Sequence, residues 1–251
     1  MFAFISQQPL PWQFGILFGI FVARSGLIAG TTTIWIHFSR WAQRRRIIAP
    51  KVGASVWRDV FFGIGILLLD AVVVLAAFRS GLMIGNHGSS LPIVLLTIAA
   101  FFVWVEIYFY YSHRLMHHPK LFWMHKHHHR ERATNPWTSL SFSVVERFVL
   151  HVGTILIPAL VSQFVPLSVD AYFAYFLINY LLNVYGHLNV ETIPPWVLRR
   201  PWGQLLNTTT YHALHHSRYR GHFGLFTKYL DELHGTKFKD YERVHAEVGP
   251  R

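Results

Sequence analysis

The sequence predicts an all-α integral membrane protein with four to five transmembrane helices and a helical cap on one face of the membrane. Composition is the first reason: of the 251 residues, 52% are hydrophobic and only 14% are charged, against about 25% charged residues in an average soluble domain. The second reason is that the hydrophobic residues are gathered into long stretches, which favours membrane-spanning helices over short alternating strands. We therefore expect one membrane domain over residues 1–251.

Five apolar stretches are candidates for spanning helices. The first four are near or above the roughly 20 residues that a spanning helix needs, and the fifth is shorter, so the sequence predicts four or five spans. The stretches cover residues 12–36, 56–78, 91–111, 140–164 and 169–185.

Lysine and arginine lie mainly in the connections on one side of these stretches. Six occur in residues 38–58, five in residues 113–137 and nine after Gly186, whereas Arg79 alone lies between the second and third stretches. Because cytoplasmic connections are enriched in Lys and Arg, this side is predicted to be cytoplasmic. The N-terminus, with no basic residue before Arg24, is expected to face outward as an uncleaved segment. The short tails favour a bacterial inner membrane over the endoplasmic reticulum.

Two charged residues lie inside the first two stretches. Arg24 and Asp70 come out at similar depths when the first stretch runs inward and the second outward. An isolated charge is costly at that depth, so one hypothesis is that the two residues form an ion pair. The alternative is that the first span is broken or shifted at Arg24.

Nine of the 17 histidines fall into short boxes with helical spacing. The boxes read H-R-L-M-H, H-K-H-H-H and H-A-L-H-H, with one further histidine between the last two. On a helix, positions i, i+3 and i+4 share a face, so each box can direct two or three rings to one point. The nine residues are His113, His117, His125, His128, His129, His187, His212, His215 and His216.

These histidines have the chemistry of metal ligands, since neutral imidazole binds transition metals well. One zinc or iron site takes about three or four such ligands, so nine predict a polyhistidine site for two metals in the cytoplasmic cap. Each box alone could instead be a solvated basic face or a loose zinc-binding tract. Seven other histidines lack the pattern; of these, His118, which follows the first box, and His127, which lies within the second, are the first candidates for further ligands. The seven are His37, His87, His118, His127, His151, His234 and His245.

The third stretch carries a polar stripe that leads to the first box. Glu106, Tyr110, His113 and His117 are spaced at 4, 3 and 4 residues, so they share a helix face. Because Glu106 would be costly facing lipid, it is predicted to accept a hydrogen bond from a ligating histidine or to lie near a substrate cavity. The alternative is a carboxylate that a neighbouring helix satisfies.

A two-metal site above apolar helices is suited to lipid oxidation, because cutting unactivated C–H bonds requires metal-activated oxygen. Metal transport or storage is a rival interpretation, but transport would place ligands near the middle of the spans. A zinc hydrolase is a weaker rival, since its H-E-x-x-H motif does not occur in the sequence. The net charge of +11 does not indicate nucleic-acid binding, because the basic residues lie between apolar stretches.

The boxes, read in order, resemble the fatty acid hydroxylase/sterol desaturase superfamily of membrane di-iron oxygenases. The matching text is H-R-L-M-H-H-P-K-L-F-W-M-H-K-H-H-H, Y-G-H-L-N, H-A-L-H-H-S and G-H-F-G-L-F-T-K-Y-L-D-E-L-H-G-T. The resemblance covers residues 106–236. It makes residues 91–251 the hydroxylase-like catalytic region and leaves residues 1–90 as N-terminal spans without a motif.

The resemblance implies that the nine histidines hold two iron ions, with zinc as an alternative occupant of a purified form. It also implies that the protein uses O2 and external electrons to hydroxylate or desaturate a fatty acyl, sterol-like or related lipid. Glu146 and Asp231 match recurrent carboxylates of the family. Fatty acid 2-hydroxylases resemble this sequence but have a further H-x-x-x-H motif before the last box. Here Asn183 occupies the first position of that motif and His187 the last. His222 replaces a common asparagine, and it either touches a metal or lies behind the ligands.

The electron source is expected to be a separate protein, such as a ferredoxin or a cytochrome b5-like donor with its reductase. The sequence has no H-P-G-G haem motif, no Gly-rich dinucleotide fingerprint and no cysteine. Four arginines of the predicted cytoplasmic face could dock an acidic donor or contact anionic lipid headgroups. They are Arg199, Arg200, Arg218 and Arg220.

Overall fold

The computed structural model describes residue 5 and residues 7–50, 56–165 and 167–249, and these residues form a helical protein. Four helices are long and apolar enough to cross a membrane: α1 (Leu10–Phe38), α3 (Val56–Arg79), α4 (Leu91–Met116) and α6 (Val144–Ser162). The other helices are α2 (Arg40–Arg44), α5 (Phe122–His125), α7 (Val169–Gly186), α8 (Pro195–Leu198), α9 (Thr209–Arg218), α10 (Tyr229–Leu233) and α11 (Tyr241–Val248). The strands β1 (Gly85–Asn86) and β2 (Leu167–Ser168) form a short parallel pair. The predicted all-α membrane fold is confirmed.

The fifth apolar stretch forms the 18-residue helix α7. It is not among the four helices that qualify as spans, because Asp170, Asn179 and Asn183 lower its hydropathy. It nevertheless packs within the bundle and ends at the level of the histidines. The fourth stretch is shorter than predicted, since a 3₁₀ turn at Pro136–Leu140 precedes α6.

Side chains from five helices, α1, α3, α4, α6 and α7, form the core of the bundle. Ala71 of α3, Phe101 and Val105 of α4, and Tyr172 and Tyr175 of α7 are buried in one cluster. Large apolar side chains on the outward faces remain exposed, as expected for helices that face lipid. The short helices α8 to α11 build the cap on the side where α4 and α7 end.

A close helix contact fixes α4 against α6. A Cβ atom at Gly153 would lie only 2.1 Å from the ring of Tyr108, so the two backbones approach there as only glycine allows. Trp104 Nε1 donates to the Gly153 carbonyl (2.8 Å) and the Tyr108 hydroxyl donates to the Val149 carbonyl (2.7 Å). Gly153 lies in a π-helical turn, Val152–Leu156, a local widening that accommodates such contacts.

The predicted ion pair between Arg24 and Asp70 is wrong. Asp70 accepts hydrogen bonds from Arg147 Nε and Nη2, both at 2.7 Å, and from His151 Nε2 at 3.0 Å. The Arg24 guanidinium instead stacks on the ring of Tyr180, 4.1 Å from the ring centre. Asp70 pairs with Arg147 rather than with Arg24, because Arg147 lies at the start of α6 and presents two parallel donors to the carboxylate.

The alternative for Arg24, a break in the first span, describes the backbone more closely. A π-helical turn, Gly26–Gly30, begins two residues after Arg24, although the helix continues to Phe38. Such a turn shifts the face that the following residues present.

Candidate metal centre

Four chain segments bring the nine boxed histidines to one place. His113 lies in the last turn of α4 and His117 directly follows it. The second box lies on α5 and the adjoining 3₁₀ turn, His128–Arg130. His187 follows the end of α7. The third box lies on α9.

The helix α9 is buried along almost its whole length despite its polar sequence. The hydroxyl of Thr208 accepts from the Tyr211 backbone N–H and fixes the start of the helix. His212, His215 and His216 are all buried. A polar helix inside a protein requires partners for its side chains, and here the partners are the other histidines.

The nine histidines divide into two groups of potential ligands. Within each group, the ligand nitrogens all lie within 4.8 Å of one another. The group of five consists of His113, His117, His125, His129 and His215. The group of four consists of His128, His187, His212 and His216. The structure thus brings together every histidine that the boxes predicted as a ligand.

Backbone carbonyls fix the orientation of three rings. Nδ1 of His113 donates to the Phe223 carbonyl (2.9 Å), and Nδ1 of His215 donates to the Gly221 carbonyl (2.8 Å). Nδ1 of His187 donates to the Asn183 carbonyl (2.8 Å). A carbonyl only accepts, so the proton must be on Nδ1, and each neutral ring presents the lone pair of Nε2 to its group.

The spacing of the Nε2 atoms fits a metal ion. His113 and His125 are 3.0 Å apart at Nε2, as are His129 and His215. Within the other group, the Nε2 distances from His187 are 3.4 Å to His128 and 3.1 Å to His212. Ligands about 2.1 Å from one ion are separated by roughly 3.0 to 3.4 Å in octahedral or tetrahedral geometry. Converging lone pairs at this spacing suit a cation between them.

Electrostatics keep the rings in the neutral form that binds metals. Burial lowers the pKa of His187 to about 4. Burial, followed by the nearby His113, lowers the pKa of His117 to about 2. Burial is also the largest cause for six further rings, whose pKa values lie well below the ordinary value: His125, His128, His129, His212, His215 and His216.

The two carboxylates that match the family, Glu146 and Asp231, support the group of five. Glu146 Oε1 lies 2.6 Å from His125 Nδ1, and both side chains are buried. Asp231 accepts from the backbone N–H groups of Phe223 (2.9 Å) and Gly224 (2.7 Å). It thereby holds the loop whose Phe223 carbonyl orients His113. Glu146 acts on a ligand directly, and Asp231 acts through the backbone.

Glu106 does not accept the hydrogen bond from a ligating histidine that the sequence predicted as one possibility. In the described part of the chain, its oxygens accept from the backbone N–H groups of Phe226 (2.7 Å) and Thr227 (3.2 Å) and from the Thr227 hydroxyl (2.8 Å). Glu106 therefore anchors the loop after Gly224 to α4. Tyr110 acts similarly, since its hydroxyl bonds to that of Thr236 (3.0 Å).

His222 lies behind the ligands and belongs to neither group. Its Nδ1 bonds to the Tyr211 carbonyl (2.9 Å) and its Nε2 accepts from the Phe238 backbone N–H (2.9 Å). The ring stacks on Tyr211 with ring centres 3.4 Å apart. Its φ of 60° is one of three positive values at non-glycine residues that the structure records.

His118, which follows the first box, and His127, which lies within the second, also stay outside both groups. His118 is exposed, and its Nδ1 accepts from the Lys120 backbone (3.3 Å). His127 packs its ring against Phe62, with ring centres 4.4 Å apart.

Sequence reasoning missed the carbonyls that orient the rings. Gly221 and Phe223 flank His222 in the segment G-H-F-G. The sequence assigned this segment no role beyond its resemblance to the family. A Cβ atom on Gly221 would lie 2.4 Å from the Thr236 carbonyl, so the tight approach requires glycine. Repeated glycines beside a histidine box were the available signal.

A cavity of about 90 Å³ lies within the helix bundle, and three residues of its wall contact boxed histidines. Phe142, which lines it, stacks on the ring of His128 with centres 5.0 Å apart. Asn183, also in the wall, orients His187 through its carbonyl. Phe109, which also lines the cavity, packs on the ring of His113 with ring centres 4.7 Å apart.

Comparison with known proteins agrees with this arrangement. Residues 98–236, more than half of the chain, match the family model for fatty acid hydroxylase. The chain belongs to the fatty acid hydroxylase family. All nine boxed histidines lie within the matched residues. No solved structure matches the chain.

The relatives within this family include plant proteins. Very-long-chain aldehyde decarbonylase GL1-7 of Oryza sativa subsp. japonica is 30% identical over 218 residues, which are 81% of this chain and 33% of that protein. Very-long-chain aldehyde decarbonylase CER1 of Arabidopsis thaliana is 29% identical over 238 residues, 86% of this chain and 36% of CER1. Very-long-chain aldehyde decarbonylase GL1-4 of Oryza sativa subsp. indica is 31% identical over 147 residues, 56% of this chain and 23% of GL1-4. This chain spans about a third or less of their lengths.

Proposed function

We propose that this protein is an O2-dependent membrane lipid hydroxylase or desaturase whose nine boxed histidines hold two iron ions. The observation that carries the proposal is the division of the nine rings into two ligand groups, beside a bundle cavity whose wall residues contact His113, His128 and His187. Two irons bound there supply the oxygen activation that an unactivated C–H bond requires.

The protein's own residues prepare this site in three ways. Backbone carbonyls and Glu146 hold Nδ1 of four rings, so their Nε2 atoms face the centre of each group. Burial excludes water and keeps the rings neutral. The cavity wall, with Phe109 and Phe142 beside the ligands, lets an alkyl chain approach from the bilayer.

Conversion of a long-chain aldehyde is a second candidate reaction. It is favoured by the names of the relatives, which describe very-long-chain aldehyde decarbonylases. Hydroxylation, desaturation and aldehyde conversion all need a lipid beside an oxidising metal centre, so the same site serves each of them. The products distinguish them.

We infer that the histidine side is cytoplasmic and receives electrons from a separate acidic donor. The order of basic connections supports this orientation. The relatives named above are plant proteins, so they give no support to a bacterial inner membrane.

A surface groove offers the donor a route to the group of five. His117 and His129 line its floor, and the exposed Lys126, Arg130 and Arg220 lie at its rim. Of the four arginines proposed from the sequence, Arg220 lies at this groove, whereas Arg218 forms an ion pair with Asp240 at 2.6 and 2.9 Å.

Charge reversal tests the docking surface. Replacing Lys126 and Arg130 by Glu should slow turnover and flatten its salt dependence, because the donor would lose its attraction to the groove. The same reversal at the exposed Arg199 and Arg200 is the control. Equal effects of the two pairs would contradict the groove as the docking site.

The function itself is tested with purified protein loaded with Fe(II). It should consume O2 only when both a reductant and a lipid are present, and mass spectrometry should identify the oxidised lipid. His128→Ala and His215→Ala, one from each group, should abolish activity and release iron while the protein still inserts in the membrane. His118→Ala is the matched control. Full activity in either ligand variant, or iron-independent lipid turnover, would contradict the proposal.

A further inference from the structure

A second cavity, of about 220 Å³, lies where α1 ends and α3 begins. Its wall includes His37 from the last turn of α1, Asp59 from the first turn of α3, and Leu188, which directly follows the boxed His187. The basic connection 38–58 joins these two helices on the same side of the bundle as the histidines. Because spanning helices leave the hydrocarbon at such connections, the cavity lies at the level of lipid headgroups.

Asp59 brings an unpaired negative charge to this second cavity. The residue is only 3% exposed, and its Oδ2 accepts from Asn135 Nδ2 (2.8 Å), a neutral donor. Among the described residues, Asp59 forms no ion pair and its Oδ1 has no hydrogen-bond partner. The nearby Glu131 is already paired with Arg58. A buried carboxylate without a counter-ion is costly, so its position in a cavity wall indicates a cationic ligand.

Arg46 brings an unpaired positive charge to the same cavity. Its backbone is fixed by an antiparallel bridge to Val190. Its guanidinium makes no ion pair or hydrogen bond within the part of the chain that the structure describes, so it does not neutralise Asp59. The cavity therefore offers one anion and one cation that leave each other unpaired. A ligand that carries both charges on a short link complements such a wall.

The lining distinguishes between kinds of cationic ligand. Among the described residues of the wall there is no Phe, Tyr or Trp, whose rings a quaternary ammonium prefers. A metal ion is also disfavoured, since the two groups of potential metal ligands in the described residues consist of the boxed histidines alone. Thr134 in the wall is buried, and its hydroxyl has no partner among the described residues. A primary ammonium has three donors, enough for this hydroxyl and for Asp59.

We propose that this second cavity binds the phosphoethanolamine headgroup of a membrane phospholipid, with the phosphate at Arg46 and the ammonium at Asp59. The planar guanidinium suits phosphate oxygens, and the ammonium supplies the counter-ion that Asp59 lacks. A purely anionic headgroup is disfavoured, because it would leave the buried charge of Asp59 unpaired. The inference goes beyond the proposed function: it assigns a lipid site apart from the metal groups and does not require the bound lipid to be oxidised.

Native mass spectrometry of the full chain in detergent, with phospholipid added, tests the inference without relying on activity. Dioleoyl phosphatidylethanolamine should bind at least about tenfold more tightly than dioleoyl phosphatidylcholine, since only a primary ammonium donates charge-assisted hydrogen bonds. Asp59→Asn should remove this preference. Arg46→Gln should weaken the binding of both lipids and keep the preference, because both lipids carry the phosphate. Arg40→Gln, at an exposed arginine outside the cavity wall, is the control.

Equal affinity of the wild-type protein for the two lipids, or a preserved preference in Asp59→Asn, would overturn the inference. So would unchanged binding in Arg46→Gln, or soluble phosphoethanolamine binding as tightly as the lipid, which would indicate a soluble ligand. If Asp59→Asn fails to fold, Thr134→Val removes only an unpartnered hydroxyl. That variant should keep or raise the melting temperature yet lower the preference, and an unchanged preference would again overturn the inference. Iron content, measured in parallel, should not change, which separates this site from the proposed metal centre.

Discussion

The hydrogen bond between Glu146 and His125 provides a sensitive test of the group of five. The two atoms are 2.6 Å apart, both side chains are buried, and Glu146 Oε2 has no other partner in the described residues. Glu146→Gln keeps the shape and one acceptor but removes the charge that polarises the ring. Loss of such support lowers metal affinity by about 10- to 100-fold, or roughly 1.4 to 2.7 kcal/mol.

This test is informative because Glu146→Gln should weaken metal binding in only one of the two histidine groups. Metal release to a chelator should become faster for one of the two ions, because Glu146 touches a member of the group of five only. Glu232→Gln, which changes a partly exposed residue paired with Lys237, should leave both release phases unchanged. Unchanged release in Glu146→Gln, or equal weakening of both ions, would refute the division of the histidines.

Three further predictions concern stability. Asp70→Asn should destabilise the protein by about 3 to 5 kcal/mol, because Arg147 would be left buried without its partner; an unchanged chemical-unfolding midpoint would contradict this. Gly153→Ala should cost about 1 to 3 kcal/mol through its clash with Tyr108, seen as a lower melting temperature. Burial lowers the pKa of His222 to about 3, so its neutral form stabilises the fold above pH 6.5 and this contribution falls as the pH drops toward 3. The free energy of unfolding of His222→Gln should therefore fall less steeply than that of the wild type as the pH is lowered from 6.5 toward 3. Parallel pH profiles of the two proteins would contradict that role.

The sequence predicted the class of fold because bilayer crossing depends on length and apolarity, which are local properties. It left four or five spans open, and the fifth candidate, α7, falls short in hydropathy because it carries polar residues such as Asn183, which lines the cavity. Pairing between helices was not predictable in this way. Asp70 and Arg147 are 77 residues apart, and only the packing of α3 against α6 brings them together.

The candidate ligands were predictable as a set but not as two groups. Successive helical residues are turned by about 100°, so neighbours within one box point to different centres. On α9, His212 and His216 are four residues apart and join the group of four, whereas His215 joins the group of five. The second box divides likewise, with His128 separated from its neighbours. Each of these two boxes therefore contributes histidines to both groups, and the spacing of the histidines alone did not reveal this.

The contacts behind the ligands depended on loops that have no periodic pattern. Glu106 and Asp231 both bind backbone N–H groups of the segment after His222 rather than imidazole rings. A sequence shows that a carboxylate is present near a box, but the path of the intervening loop decides what it touches.

X-ray absorption at the metal edge, combined with metal quantification on protein loaded with Fe(II), tests the central claim most directly. The two histidine groups predict two ions per chain, each surrounded mainly by nitrogen at about 2.1 Å. His128→Ala and His215→Ala should each disturb a different ion. A single ion per chain, or a first shell dominated by oxygen, would contradict the account.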